Sequence, residues 1–431
     1  MKYFRLFLYF FLFLLWAEGA TAQNLTNSVY SRYGFGEIES RNLAPLFSMG
    51  GISSGFRSPI ILNPENPASH SALSLTVFNA GLQGKYLNQS FNNRELITKR
   101  ASFGSLCMGF PLAKGWGTSL GLLPYAASGY DATDTTALGN QWLETNQRLS
   151  GSMSKVYWAN ALSPIKWFDD SSKHVLSIGL EAAYLFGGYS HTLFNNFLGA
   201  DTSQILGNDF RKEFNVKSAE FKLGMQYSFP LKKDWTAVVG GWYGITRNAN
   251  ALSTTLDRRF IVRGQFKEVL DTIAYSSDQK ENLILPNSFG FGFNVQYKLR
   301  WVFGLDYRVI DYKNFTWAMP QPVLGQNTKL SMGVQYYPAG KPGPGFFEHT
   351  YYRLGLRNEK LAYTVNGKSV VENALSAGIG LPLKKTTSTI NIGLELGQRG
   401  DLNSGQMRER FVLLNVGFML SDTWFQRRKI D

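Results

Sequence analysis

Residues 287–312 read NSFGFGFNVQYKLRWVFGLDYRVIDY, and this stretch shows most clearly that the fold is built of β-strands. Phe289, Phe291 and Phe293 alternate with small or polar residues, and the same alternation continues through 301–309 after a short turn. A period of two is typical of a β-strand that has one apolar and one polar face. Two such strands joined by a few residues predict an antiparallel hairpin.

Fourteen segments show this alternation, with approximate spans 74–86, 101–111, 116–128, 148–162, 174–190, 216–229, 235–249, 287–299, 301–312, 328–338, 350–358, 372–383, 387–397 and 409–420. Alternation alone also fits a soluble β-sandwich. The lengths of the connections distinguish the two folds. Connections are mostly long after odd-numbered segments and mostly short after even-numbered ones, as in outer-membrane barrels. We therefore expect an all-β fold in which residues 74–420 form a transmembrane antiparallel β-barrel of about fourteen strands.

The composition agrees with strands, rather than helices, crossing a membrane. After the first 22 residues no segment is continuously apolar over the roughly 20 residues that a spanning helix needs. The mean hydropathy of −0.17 fits a barrel, since lipid-facing and lumen-facing residues cancel in the average. The formal charge of +13 is spread along the chain without a dense basic cluster, so nucleic-acid binding is not indicated.

Residues 1–22 have the features of an export signal. Lys2 and Arg5 precede an apolar run from Leu6 to Trp16, which is short for a spanning helix. Small residues at Ala20 and Ala22 fit a cleavage site. We expect the mature chain to begin at residue 23 and to reside in the outer membrane.

Residues 23–73 lack clean alternation and are rich in Asn, Ser, Gly and Pro. Irregular backbone is tolerated at membrane depth only where protein or water shields it. We therefore expect residues 23–73 to form a hatch inside the barrel. Within them, Asn66-Pro67-Ala68 lies just before the first strand, where Asn and Pro also fit a plain turn.

Asn66-Pro67-Ala68, which follows a Gly-rich segment and precedes fourteen strands, resembles the FadL-type family of long-chain fatty-acid transporters. That family has a fourteen-stranded barrel and an N-terminal hatch with an Asn-Pro-Ala motif. Its third strand bends inward and opens a lateral gap toward lipid. Pro124 interrupts the third predicted strand here and cannot donate to the strand ladder, so the resemblance implies a kink at Pro124. A strand that ends near Pro124 is the alternative.

The chain ends resemble FadL-like outer-membrane proteins of Bacteroidota, through 31–36 (SRYGFG) and 421–425 (SDTWF) followed by Arg427, Arg428 and Lys429. One member of that group closes the periplasmic side of the type IX secretion translocon. The resemblance therefore implies a second possible role, as an accessory subunit. Residues 421–431 would then be a basic periplasmic tail that contacts the translocon, together with the turns at Lys232-Lys233 and Lys384-Lys385.

Charged residues fall on the predicted inward faces, at Glu181, Lys222, Asp306, Arg308, Arg353, Arg357 and Glu395. They could line a route or bind a ligand carboxylate. A charge network that fixes the interior explains them equally, because polar interiors are normal in such barrels.

Three functional hypotheses follow. The first is passive uptake of hydrophobic small molecules past the hatch and out sideways into lipid; the second is docking to a secretion translocon. The third, an enzyme at the rim using His191 or His349, has little support, because the four histidines have no metal-binding spacing and no nucleophile elbow is present. We expect no cofactor, no metal and no nucleic-acid partner. Cys107 is alone and fits an apolar filler.

Overall fold

The computed structural model describes residues 28–38, 43–92, 94–164, 173–198, 206–263, 266–298, 300–319, 322–339, 347–383 and 386–423. The expected signal peptide, the turn at Lys384-Lys385 and most of the basic tail lie outside these ranges. Helix α1, Ala44–Phe47, and the 3-10 turns at Val29–Arg32 and Pro67–Ala72 are short. No helix among the described residues is long and apolar enough to cross a membrane.

Strands dominate the described chain. Their bounds are β1 Glu37–Ile38, β2 Thr76–Phe91, β3 Arg94–Ala113, β4 Trp116–Leu138, β5 Gln141–Leu162, β6 Val175–Leu198, β7 Gly207–Lys232, β8 Trp235–Thr246, β9 Ala249–Arg263, β10 Phe266–Leu283, β11 Asn287–Tyr297, β12 Trp301–Asp311, β13 Gln326–Tyr336, β14 Tyr351–Val365, β15 Lys368–Pro382, β16 Thr389–Arg399 and β17 Arg408–Asp422.

Fourteen strands, β2–β8 and β11–β17, form a closed antiparallel barrel. The last strand pairs with the first, from Arg408–Ser90 to Asp422–Thr76, so the wall has no free outer edge at the chain termini. The predicted fold class and strand number are confirmed. Strand β8 pairs directly with β11, and the β9–β10 hairpin stands beside the wall, where β9 pairs with β7.

We call the end of the barrel that carries Thr76 and Asp422 the lower end. At the opposite, upper end the strands run on far beyond the predicted spans. The predicted spans leave long loops at 87–100 and 129–147, and this prediction is wrong. Strand β2 continues to Phe91 and β3 begins at Arg94, while β4 continues to Leu138 and β5 begins at Gln141. The physical reason is that extensions above the bilayer have no lipid-facing side. Their backbone still pairs, but their side chains lose the period of two.

The apolar faces of the strands point outward. On β11, Phe291 is 57% exposed, and on β6, Leu180 is 63% exposed while its neighbour Glu181 is 3% exposed. A soluble sandwich would bury these residues; a membrane barrel presents them to acyl chains. At the lower end, the Trp235 and Tyr297 rings are in tilted contact with centroids 4.7 Å apart, and Trp301 stacks on Tyr336 at 4.2 Å. Such aromatic side chains favour the level of lipid head groups.

The residues before β2 lie within the barrel in two pieces. The lower segment, residues 43–75, packs its Leu46, Ile52 and Leu62 into an apolar cluster with Cys107 and Tyr157 of the wall. The upper segment, residues 28–38, packs into a second cluster that is rich in aromatic side chains. The lower segment is mostly buried and the upper segment is about half buried, and together they fill the barrel interior at two levels.

We expect Phe291→Arg to lower the free energy of unfolding of the barrel by ~2–4 kcal/mol, because the Arg side chain would have to leave water for the lipid-facing band. The control is Tyr275→Arg on the β9–β10 hairpin, where the side chain is 67% exposed outside the ladder of the barrel. Folding into lipid vesicles across a urea titration, scored by the gel mobility of the folded barrel, measures both. Equal effects for the two variants would contradict the lipid-facing assignment.

Candidate functional site

The Asn66-Pro67-Ala68 turn presses against the inner wall. The Asn66 side chain caps its own turn, accepting from the Ala68 amide at 3.1 Å, and donates to the Ser54 carbonyl at 2.7 Å. The wall residues that contact this turn are glycines. A Cβ on Gly179 would lie 2.4 Å from the Ala68 nitrogen, and one on Gly224 would lie 2.2 Å from the Asn66 side-chain oxygen. Only the missing side chains allow this close approach.

Asp306 is one predicted inward charge that binds the lower segment. One of its carboxylate oxygens accepts hydrogen bonds from the Ser53 and Ser54 amides, at 2.8 and 2.6 Å. The Ser54 carbonyl also accepts from the side chain of Gln226 at 3.0 Å, and the Ser54 hydroxyl accepts from Trp242 at 3.2 Å. Three barrel strands therefore hold one short stretch of the lower segment.

Lys222 and Arg308 meet the lower segment at Glu65. Lys222 is 1% exposed and donates to the Glu65 carbonyl oxygen at 3.0 Å, and its ammonium lies 4.7 Å from the centroid of the Trp242 ring. The Arg308 guanidinium lies 3.6 Å from the Glu65 carboxylate. A buried cation needs such partners, because burial without them costs several kcal/mol.

Glu181 forms a charge cluster in the wall with Lys155 and Glu220, two residues that the sequence analysis did not identify. The Lys155 ammonium lies 2.5 Å from the Glu181 carboxylate and 2.7 Å from that of Glu220, and all three side chains are at most 1% exposed. Lys155 alternates with the outward Val156 and Trp158 in β5. The period of two is the signal that could have found it.

The other predicted charges lie in the wall from β13 to β17. Arg353 donates to Gln335 at 2.8 Å and to Asn391 at 2.9 Å. Arg357 pairs with Glu395 at 2.7 Å, with Glu359 at 2.8 Å and with Glu372 at 2.5 Å. Sequence reasoning missed Arg399, which pairs with Glu372, with Glu409 at 3.4 Å and with Glu37 of the upper segment at 2.8 Å. Arg399 lies two residues beyond the predicted end of its strand.

The ladder between β3 and β4 stops halfway up the wall. The two strands pair from Ala113–Trp116 up to Leu106–Leu122, and the described residues show no pairing between them above that point. Pro124 lies just above the break, at a bulge against β5. Residues Tyr125–Tyr130 are then all buried, so this part of β4 is covered on both faces. The strand does not end near Pro124, which was the alternative to a kink, because β4 continues past Pro124 to Leu138.

The upper segment lies along the unpaired side of β4. Glu37 and Ile38 form β1 and pair with Ala127 and Ala126. The Ser128 hydroxyl donates to the Ser31 carbonyl at 3.0 Å. Lys85 of β2 reaches Glu37 at 2.5 Å, on the other side of the break. The upper segment thus supplies backbone partners where the wall has lost its own.

The interior retains one sizeable cavity among the described residues, of about 110 Å³, between the two segments. Its lining is strongly charged and includes Lys85, Arg100, Lys329, Arg357 and Glu372. A cavity of ~150 Å³ holds one benzene molecule. This cavity is therefore too small for a long acyl chain.

The structure does not bring the candidate catalytic residues together. The His191 ring lies 3.1 Å from the Gln147 side chain near the upper end, whereas the His349 ring contacts the Tyr337 hydroxyl at 3.0 Å near the lower end. Cys107 is buried in the apolar cluster of the lower segment. Within the described ranges, no group of three His, Cys, Asp or Glu side chains is arranged to hold a metal ion.

A family model named BamG matches residues 4–431. The chain belongs to the BamG family. Comparison with curated protein sequences finds no match. Among solved structures, the BamG-family chain is similar to the toluene transporter TodX of Pseudomonas putida, with a TM-score of 0.55, 16% identity, and coverage of 90% of this chain and 99% of that one. It is also similar to a FadL homologue of Pseudomonas aeruginosa, with a TM-score of 0.52, 10% identity, and coverage of 90% and 98%.

These likenesses place the BamG-family chain in the FadL-like barrel fold that the sequence resemblance implied. At such low identity they show the fold alone. The Bacteroidota subgroup and the type IX role remain predictions.

We expect Gly179→Ala to loosen the lower segment, because the new Cβ would lie 2.4 Å from the Ala68 nitrogen. The matched control is Gly241→Ala, whose Cβ would meet no atom closer than 3.4 Å. Protease digestion of the folded barrel measures the effect, with faster cleavage within residues 43–75 expected for Gly179→Ala only. Unchanged cleavage in both variants would show that this contact does not hold the segment.

Proposed function

We propose that this chain is an outer-membrane, FadL-like barrel for passive uptake of hydrophobic small molecules, which leave sideways through the wall between β3 and β4. Residues 28–38 act as the movable part of the hatch, and the lower segment acts as a fixed floor. Asn66, Pro67 and Ala68 anchor that floor, and Pro124 shapes the exit. The observation that carries the proposal is the interrupted β3–β4 ladder, filled by a segment that is not part of the wall.

The contacts of the two segments support this division of roles. The lower segment is held by hydrogen bonds from several strands and by glycine contacts too tight for any side chain. The upper segment pairs with a wall strand over only two residues, Glu37 and Ile38. Its other contacts with the wall are ion pairs, aromatic packing and side-chain hydrogen bonds to residues such as Glu409, Ser128 and Tyr189. Local opening favours segments with few buried contacts, and fewer than half of residues 28–38 are buried, whereas most of residues 43–75 are. The upper segment is therefore the easier of the two to displace.

The lateral exit also fits the charges in the lumen. A hydrophobic molecule gains about 0.8 kcal/mol per buried CH₂ group, and it gains nothing comparable beside Arg357 and Glu372. A route through the floor would cross the charge clusters around Glu65 and Lys155. A route above the floor and out through the β3–β4 break avoids both of these clusters and meets another one, formed by Glu37 with Lys85 and Arg399. The inward charges then serve to fix the interior rather than to bind the transported molecule.

A disulfide across the break tests the proposal. Ile38→Cys and Ala126→Cys introduce thiols at paired positions of β1 and β4, in a Cys107→Ala background. We expect the oxidised variant to lose uptake of toluene and of a fluorescent long-chain fatty acid, and reduction to restore it. Uptake is measured in cells that lack other FadL-like barrels.

The control pair is Ala377→Cys with Leu394→Cys, which are cross-strand partners in β15 and β16, far from the break. Oxidation of this pair should leave uptake unchanged. Uptake that persists with the Ile38–Ala126 bridge closed would refute the lateral exit, and a wild type without any uptake would refute transport itself.

A second candidate is the accessory role, in which the chain docks to a secretion translocon and occludes it. The β9–β10 hairpin favours a protein contact, because β10 exposes Phe266 at 80%, Tyr275 at 67% and Leu270 at 49% above the barrel. Its described pairing is with β9 alone, so its other edge can accept a further strand. Exposed apolar strand edges of this length commonly mark interfaces.

Purification of the tagged chain from gently solubilised membranes at native expression separates the two roles. The accessory role predicts a stoichiometric secretion-translocon subunit that is lost when residues 250–282 are replaced by a short turn. Recovery of a lone barrel in both cases would rule this role out, while a retained complex after the replacement would move the contact to another surface.

A further inference from the structure

The outer wall carries a concave groove across β13–β17 and β2, with a volume of about 770 Å³. Barrel walls are convex on the outside, so a depression over six neighbouring strands is a distinct feature. A cavity of ~150 Å³ holds one benzene molecule, so the groove has room for several segments of acyl chain. It lies on a different part of the wall from the β3–β4 break.

Two rows of outward side chains line the groove, and each row follows the cross-strand partners of the ladder. The lower row is apolar: Met332, Leu356, Leu375, Leu396, Val412 and Tyr86. The row directly above it, in the direction of the upper end, is polar from β14 onward: Asn358, Asn373, Gln398, Arg410 and Asn88. The outward face of these strands therefore changes from apolar to polar side chains between the two rows.

Arg410 is the cation of the polar row. The Arg410 Nε donates to the Gln398 side chain at 3.5 Å, and the described residues show no second hydrogen bond from this guanidinium. A guanidinium has five N–H donors, so most remain for an external acceptor. Arg408 and Lys360 lie one step further toward the upper end on the same outward face. Cations on an outward face at the head-group level complement phosphate.

We propose that this groove binds the phosphorylated, multiply acylated glycolipid of the outer leaflet, lipid A. Arg410 binds a phosphate of the glycolipid. The amides of Asn358, Asn373 and Gln398 bind its sugar hydroxyls and phosphate oxygens, and the leucines below receive its acyl chains. The inference rests on the outer-membrane location proposed above, but not on the lateral exit.

A lipid fits better than a neighbouring protein because the apolar row continues the lipid-facing band of the wall. A row of side-chain amides suits an array of hydroxyl and phosphate oxygens. An ordinary phospholipid offers one phosphate and two chains, whereas lipid A offers sugars, phosphates and several chains. The width of the groove, which spans six strands, matches the larger molecule.

Native mass spectrometry of the purified barrel, with either lipid A or phosphatidylethanolamine added, tests the proposal. We expect wild type to retain lipid A in preference to phosphatidylethanolamine. Arg410→Ala should lower lipid A retention on the order of tenfold, as expected for loss of a charge-assisted hydrogen bond. Leu396→Trp should lower it without changing charge, by filling the groove.

The control is Lys217→Ala, which removes an exposed outward cation from β7, on the opposite side of the barrel. It should retain lipid A as wild type does, and uptake by Arg410→Ala should equal that of wild type. Equal loss in Lys217→Ala and Arg410→Ala, or equal retention of the two lipids by wild type, would overturn the proposal. A second barrel or another protein held at the groove in place of lipid, and lost in Leu396→Trp, would also overturn it.

Discussion

The structure depends on the need of every backbone N–H and C=O in hydrocarbon to find a partner. A closed ladder of fourteen strands meets this need around most of the wall, including the seam between β17 and β2. The β3–β4 break does not meet it. There the chain uses its own upper segment: β1 pairs with β4, and Glu37 connects to Lys85 and Arg399. The position of the upper segment is thus a consequence of the broken ladder.

The interior obeys a second constraint, that charges buried within the wall need partners. Lys155, Arg357 and Arg399 each meet more than one carboxylate, and Asp306 meets two backbone amides. Removing one member of such a group leaves an unpaired buried charge and costs ~3–5 kcal/mol. These groups therefore hold the plugged state in a specific geometry. They also make the lumen a poor environment for an apolar solute, which agrees with the proposed exit through the wall.

Much of the membrane-spanning wall could be predicted from the sequence, because lipid on one side and a polar interior on the other impose a period of two. The alternation of Phe289, Phe291 and Phe293 is the clearest case. The strand extensions at 87–100 and 129–147 could not be predicted. They lie above the bilayer, where both faces of a strand accept polar as well as apolar side chains, so the alternation is lost. Val309 shares the outward face of β12 with Tyr307, yet it is 3% exposed, which the alternation alone does not predict.

The candidate site was only partly predictable for a similar reason. The Asn66-Pro67-Ala68 turn and Pro124 stand out locally, because Asn and Pro restrict the backbone. The partners of the predicted charges do not stand out, since Lys155, Glu220 and Arg399 meet their partners only when strands distant in sequence close into a barrel. The fit of Gly179 and Gly224 to the lower segment is likewise a property of the closed wall.

Hydrogen exchange of backbone amides in the membrane-embedded protein is the most direct test of a fixed floor and a movable upper segment. The account predicts slow exchange through residues 43–75, and faster exchange in residues 28–38 and at Ala126 and Ala127, increased further by toluene. Equal protection of the two segments, unchanged by toluene, would contradict it.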